Sequence, residues 1–81
     1  MTKKNPTRAE RFSDAIDNIT HSRSAIEELR DELQDWLDNM PENLQDSQKA
    51  EELQEAIYEL EEVIDSLEEI EDTNILFPGM F

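Results

Sequence analysis

The sequence has no cysteine and a single glycine, Gly79, and these two scarcities exclude several classes of site. Without cysteine the chain cannot form a disulfide or a thiolate metal site, and its composition is compatible with a reducing cytoplasm. With no glycine before residue 79 it has no glycine-rich loop to hold a phosphate, and no paired nucleophile and base stand out. We therefore expect no enzyme and no cofactor.

Basic residues are also scarce, and the chain is strongly acidic. Seven Lys and Arg stand against 22 Asp and Glu, so the net charge is 7 − 22 = −15. By segment the charge is 4 − 1 = +3 over residues 1–11, 2 − 8 = −6 over 12–40 and 1 − 13 = −12 over 41–81. Such a field repels nucleic acid and anionic membrane and attracts basic protein surfaces. We expect a basic protein partner, with no direct binding to nucleic acid or membrane.

Long apolar runs are missing as well. No stretch approaches the roughly 20 apolar residues of a membrane-spanning helix, and the basic N-terminus is not followed by the apolar core of a signal peptide. We expect a cytoplasmic protein with one domain over residues 1–81, which includes a flexible basic N-terminus (1–6) and an apolar tail (73–81). A domain this small buries little apolar surface unless it oligomerises or binds a partner.

What the chain does have is heptad periodicity. Apolar and small residues recur at alternating steps of three and four between residues 12 and 40, as in an amphipathic helix that packs along one stripe. We expect Trp36 to lie in the core near the turn. The predicted seam consists of Phe12, Ala15, Ile19, Ser22, Ile26, Leu29, Leu33, Trp36 and Met40, flanked by Ile16, Arg23, Arg30 and Leu37.

Local signals set the ends of this first helix at about residues 7–40. Thr7 and Glu10 form a capping box, and Pro6 disfavours helix immediately upstream. Pro41 ends the helix. A second helix is predicted over about 46–72, capped by Asp46 or Ser47.

The second helix has a broader apolar stripe, with three positions in each heptad. Such breadth is expected of a helix that meets more than one neighbour. The short connection PENLQDSQ favours an antiparallel all-α hairpin, and a second copy would complete a four-helix bundle. Alternatively, a different protein covers the second surface. The apolar positions are Leu53, Ala56, Ile57, Leu60, Val63, Ile64, Leu67 and Ile70.

The chain ends in ILFPGMF, an apolar tail with two possible roles. In one, Phe77 folds over the open end of the hairpin beside Phe12, and Pro78-Gly79 makes the turn that returns the last residues to the core. In the other, the tail is a linear motif that docks into a groove of a partner through Phe77, Met80 and Phe81.

The solvent side of the second helix carries ten acids and almost no base. A helix that is merely soluble interleaves Lys with Glu, because like charges at i,i+4 destabilise it. A solvated face remains the alternative to a binding surface. Tyr58, an aromatic among these acids, is either a contact anchor or a cover for neighbouring side chains. The acids, named here the acidic ridge, are Glu51, Glu52, Glu55, Glu59, Glu61, Glu62, Asp65, Glu68, Glu69 and Asp72.

A metal site is not expected. Asp17 and His21 lie at i,i+4, but the chain has no further histidine and no Glu-x-x-His element, so a di-metal site of the helical-bundle type is unsupported. An exposed His beside an Asp is the simpler interpretation.

Three stretches, ELQDWLDNMPENLQ, ELQEAIYELEEVIDSLEEIE and the closing FPGMF, resemble small uncharacterised acidic helical proteins of bacteriophages and other mobile elements. The resemblance spans most of residues 26–81 and supplies no catalytic residues. It implies a gene of viral or mobile-element origin that acts in the cytoplasm of a bacterial host. It also implies a role in disabling host defence, by mimicking DNA or by blocking a host protein.

Two functions follow as hypotheses. In the first, the chain is an inhibitor whose acidic ridge, with Tyr58, occupies a basic nucleic-acid-binding groove of a host protein. In the second, it is a structural, assembly or adaptor protein that binds through its apolar stripe and tail, and its charge only keeps it in solution.

Overall fold

A computed structural model of the chain describes residues 6–78 and shows two α-helices folded into a hairpin. Helix α1 covers Arg8–Asp38 and helix α2 covers Gln48–Glu71, with one 3-10 turn, Glu42–Leu44, in the connection between them. Residues 6–78 contain no strand. The predicted all-α hairpin is therefore confirmed, and both helices end within two residues of their predicted limits.

The start of α1 is fixed by the predicted capping box. The Glu10 backbone N–H donates to the Thr7 hydroxyl at 3.0 Å, and the Thr7 N–H donates to the Glu10 carboxylate at 3.0 Å. Two of the donors that a helix N-terminus leaves unpaired are thus satisfied. Helix α2 starts in a similar way, because the Ser47 hydroxyl accepts from the Ala50 N–H at 3.3 Å. Ser47, rather than Asp46, is the cap.

The two helices lie antiparallel in a single layer. The Cα atoms of the chain span 65 × 27 × 13 Å. Contacts between the start of α1 and the end of α2, such as Thr20 with Glu71, show the direction of the pairing. The hairpin is therefore long and thin, and each helix leaves much of its circumference in solvent.

The buried core comes from α2 alone. Ala50, Leu53, Ile57 and Ile64 are buried, with exposed fractions of 0–6%. Helix α1 contributes no fully buried residue among those described. Its packed face is only half-buried, and consists of Phe12, Ile16, Ile19, Thr20, Arg23, Ile26, Glu27, Arg30, Leu33 and Leu37, with half-buried Met40 just beyond its end.

This packed face corrects half of the predicted seam. Ala15, Ser22, Leu29 and Trp36 were expected in the core, but all four are exposed, Leu29 by 52% and Trp36 by 51%. The row one residue further along the chain packs in their place. That row, Ile16, Arg23, Arg30 and Leu37, includes two arginines, so apolarity alone pointed to the wrong side of α1.

In α2 two of the three rows of the predicted apolar stripe pack against α1. Its third row is not used inside the hairpin, since Val63 is 43% exposed and Ile70 is 44% exposed. Ile57 and Ile64, by contrast, are buried against α1. These two residues are therefore covered within the hairpin and are not free to meet a second copy.

Within residues 6–78, neither helix has an apolar stretch long enough to cross a membrane.

Candidate protein-binding surfaces

The acidic ridge lies in solvent over its whole length. All ten carboxylates predicted to face outward on α2 are exposed, and Tyr58 among them is 65% exposed. At a rise of about 1.5 Å per residue, the 21 steps from Glu51 to Asp72 extend for about 32 Å. The ridge is therefore a continuous line of negative charge along one element.

Basic side chains leave this ridge almost untouched. In residues 6–78 the single ion pair of a ridge carboxylate joins Lys49 Nζ to Glu52 Oε2 at 3.9 Å, and both side chains are more than half exposed. Such an exposed pair contributes little. Elsewhere on the ridge, acids follow acids at i,i+4, as Glu51, Glu55 and Glu59 do, which destabilises the helix.

One acid of α2 behaves differently, because it is turned toward α1. The Arg23 guanidinium donates to Glu71 through two nitrogens, Nε to Oε2 and Nη2 to Oε1, the second at 3.2 Å. The Thr20 hydroxyl donates to Glu71 Oε1 at 2.8 Å, and Arg23 Nη1 donates to Glu27 at 3.1 Å. This cluster of four side chains joins the two helices near the open end of the hairpin.

The cluster shifts the pKa of both charged partners. The hydrogen bond from Arg23 is the main reason that the pKa of Glu71 falls below its ordinary value of 4.5, and the Thr20 hydroxyl adds to the effect. The same hydrogen bond raises the pKa of Arg23. The side chains are only 19% and 15% exposed, so the pair is shielded from solvent.

Sequence reasoning missed this cluster. It left Glu71 out of the acidic ridge but gave it no partner, and it treated Arg23 as a gap in a flanking apolar row. The available signal was the position of Arg23, a charged residue in register with Ile16 and Leu37. Its partner lies 48 residues away, so spacing along the chain could not identify it.

A second surface, the apolar side, is formed by the two rows that the hairpin leaves unpacked. Each residue of these rows comes directly before a residue that packs against the other helix, as Ser22 comes before Arg23 and Val63 before Ile64. Because the helices run in opposite directions, this places both rows on the same side of the hairpin. A contact confirms this placement: Lys49 Nζ lies 5.9 Å from the centre of the Trp36 ring. The apolar side consists of Ala15, Ser22, Leu29 and Trp36 from α1 and Ala56, Val63 and Ile70 from α2.

The tail divides into a packed residue and exposed ones. Phe77 is half-buried and its ring centre lies 5.7 Å from that of Phe12, at an interplanar angle of 56°. Leu76 next to it is 96% exposed, and Ile75 is 46% exposed. Phe77 therefore covers the open end of the hairpin, as in the first of the two roles predicted for the tail, whereas Met80 and Phe81, the other predicted tail contacts, lie outside the described residues.

The remaining concave regions are shallow. One of them, about 530 Å³, lies at the open end of the hairpin between the start of α1 and the tail, and includes Arg8, Arg11 and Phe77. In residues 6–78 no group of three or more His, Asp or Glu side chains could hold a metal ion, and Asp17 and His21 belong to no such group.

Comparisons of this chain with protein-family models, with curated proteins and with solved structures gave no match. The acidic ridge and the apolar side are therefore the two features of the described chain that bear on its function.

Proposed function

We propose that the chain is a non-enzymatic, acidic inhibitor that binds a basic protein surface through its acidic ridge. The observation that supports this most strongly is the exposure of all ten ridge carboxylates. Within the described residues, only one of the ten, Glu52, takes part in an ion pair, and that pair is weak. Repulsion along such a helix costs stability. A binding role accounts for that cost, because a basic partner neutralises the charges.

The partner class is a nucleic-acid-binding protein. The ridge extends for about 32 Å, which equals about nine base pairs at 3.4 Å each. A hairpin whose Cα atoms are only 13 Å thick can enter a groove open to a duplex. Tyr58, exposed in the middle of the ridge, is the proposed aromatic contact.

The resemblance to phage and mobile-element proteins suggests where this inhibitor acts and against what. It acts in the cytoplasm of a bacterial host as an anti-defence protein, where it excludes DNA from a host protein by mimicking it. It needs no cofactor or metal. We also propose that the hairpin forms a homodimer, since a single layer of two helices leaves apolar rows uncovered on both of them.

Reversal of four ridge charges tests the role of the ridge. Replacing Glu55, Glu59, Glu62 and Glu69 by Lys changes the net charge from −15 to −15 + 8 = −7. If the ridge is the binding surface, this variant stays helical by circular dichroism but no longer captures basic nucleic-acid-binding proteins from host lysate. Duplex DNA should compete with the intact chain, and about 0.5 M salt should weaken its binding.

The matched control reverses four acids of α1 instead. Replacing Asp14, Asp17, Glu28 and Asp35 by Lys gives the same net charge of −7 but leaves the ridge intact. Captured proteins should remain bound to the control. Equal loss in both variants would show that net charge alone attracts the partner, and binding that neither DNA nor salt affects would contradict mimicry.

The second candidate function is that of a structural, assembly or adaptor protein. The observation in its favour is the apolar surface left in solvent, on which Leu29 and Val63 are 52% and 43% exposed and Leu76 of the tail is 96% exposed. In this case the ridge reversal leaves partner binding unchanged, and substitution of Leu76, Phe77 or the apolar side abolishes it.

A further inference from the structure

The apolar side is the one exposed part of both helices from which acids are missing. The chain has 22 acidic residues, and none lies in the two rows that form this side. Seven residues before the first member of each row lies a basic residue, Arg8 before Ala15 in α1 and Lys49 before Ala56 in α2. In composition these exposed rows resemble the packed interior more than they resemble the rest of the surface.

This charge pattern decides which occupant suits the surface. A basic protein is attracted to the acids of the other sides and gains nothing from rows without acids. A second copy of this chain is repelled by the acids of the other helix faces, whereas the apolar side carries none. The apolar side is therefore the surface on which two chains of charge −15 can approach each other.

The size of the surface suits a dimer as well. Helix α2 has 24 residues and is about 36 Å long, and two helices side by side are about 20 Å wide. The footprint is therefore about 700 Å² per protomer, close to the ~800 Å² per partner of stable protein interfaces. Burial of Leu29, Trp36, Val63 and Ile70 would supply its apolar centre.

Charge also sets the orientation of the two copies. If the open ends of both hairpins lay together, α1 of one copy would face α2 of the other, and Arg8 and Arg11 would lie over the tail of the second copy, in which residues 73–81 contain no acid. If the open end of one lies against the turn of the other, α1 crosses α1 of the second copy near Ser22. Arg8 then lies over the partner's Trp36, and Arg11 lies near the partner's Glu32, which favours this arrangement.

We infer that the apolar side binds a second copy of the chain in this antiparallel orientation. The two acidic ridges then lie outside the interface, so that one dimer offers two basic-protein sites. The inference specifies the surface of the dimer proposed above, but it does not depend on the basic partner.

Sedimentation equilibrium of two variants tests the surface. Replacing both Leu29 and Val63 by Glu places four charges in the interface, and we expect the dissociation constant to rise at least about 100-fold. Circular dichroism should show retained helix, because both residues are already exposed within the hairpin. A wild-type monomer at micromolar concentration, or a variant that dimerises as the wild type does, would overturn the inference.

The matched control adds the same two charges elsewhere. Ser24 and Gln54 are exposed and lie on the opposite side of their helices from the apolar side, so Ser24→Glu with Gln54→Glu should leave dimerisation unchanged. The Leu29/Val63 variant should still bind the basic partner as a monomer. That result separates loss of the dimer from failure of the proposed function.

Disulfide trapping tests the orientation, since the chain has no cysteine of its own. A disulfide needs Cα atoms about 4.4–6.8 Å apart. In the antiparallel arrangement Ser22→Cys meets its own copy and forms a covalent dimer on mild oxidation. In the alternative, α1 faces α2 of the other copy, and only a mixture of Ser22→Cys and Val63→Cys chains cross-links. Cross-linking confined to that mixture would refute the antiparallel orientation.

Discussion

Arg23 of α1 and Glu71 of α2 join the two helices through paired hydrogen bonds, although both occupy positions where the heptad pattern places apolar residues. Their side chains are only 19% and 15% exposed, and Thr20 donates a further hydrogen bond to Glu71. A shielded pair of this kind disfavours any shift of one helix along the other, because a shift would leave both charges without partners. It therefore fixes the register of a hairpin whose remaining packing is mostly apolar.

Loss of this pair should make the hairpin less stable in a pH-dependent way. The pKa of Glu71 is lowered in the fold, so the stabilising contribution is present above the ordinary value of 4.5 and is lost as pH falls through the lowered pKa. We expect Glu71→Gln to melt at a lower temperature than the wild type at pH 7. The difference should shrink progressively as the pH of the melting curves is lowered below 4.5.

Glu61→Gln is the control for that comparison. Glu61 is an exposed ridge residue and also loses one charge, but it makes no bond with Arg23. Its melting temperature should not fall at pH 7. An equal fall in both variants would assign the effect to net charge instead of the Arg23–Glu71 pair.

Adjacent residues of α2 should differ sharply in their contribution to stability. Ile57 is 6% exposed and Tyr58 is 65% exposed. Truncating a buried isoleucine costs about 2–5 kcal/mol, a large part of the total for a small domain. We expect Ile57→Ala to lose its helical circular-dichroism signal at a clearly lower urea concentration than the wild type. Tyr58→Ala should unfold at the same urea concentration as the wild type. Similar midpoints for both variants would contradict the observed packing of α2.

The tail offers a second adjacent pair. Phe77 packs on Phe12, whereas Leu76 is 96% exposed. Half-burial of a Phe is expected to contribute about 1 kcal/mol. Phe77→Ala should therefore lower the melting temperature by about 4–8 °C, and Leu76→Ala should leave it unchanged. If Phe77→Ala melts as the wild type does but loses partner binding, the tail is a docking motif.

The acidic ridge should limit stability, and a single reversal should show it. Glu55→Lys replaces like-charge pairs with Glu51 and Glu59 at i,i+4 by attractive ones, each worth a few tenths of a kcal/mol. We expect a higher melting temperature at low ionic strength and a smaller gain at about 0.5 M salt. The melting temperature of Glu55→Gln should lie between those of the wild type and Glu55→Lys. Weaker binding of the basic partner by the more stable variant would show a trade-off between stability and function.

Local chemistry made the helix limits predictable from the sequence. Thr7 with Glu10 and Ser47 with Ala50 form caps within a few residues of each other, so a short stretch contains all the information that each helix start requires. The exposure of the acidic ridge was predictable for a similar reason. Ten carboxylates on one helix cannot be buried without partners, and the chain has too few bases to supply them.

The side of α1 that packs was not predictable from the same pattern. Trp36 and Leu37 are neighbours and both apolar, and the sequence favoured Trp36, which is 51% exposed. The choice depends on Arg23, whose bond to Glu71 turns its row toward α2. Arg23 and Glu71 are 48 residues apart, so the heptad pattern of either helix alone does not indicate their contact. The apolar side went unrecognised for the same reason, because its rows had been assigned to the core.

The thin core has a consequence for the lifetime of the chain in a cell. With four buried residues on α2 and none on α1 in the described range, the isolated hairpin opens at little cost in free energy. Proteases cleave the opened chain, whereas a second copy or a partner holds it closed by mass action. Molecules without a partner should be degraded first, so that abundance adjusts itself to the number of binding sites.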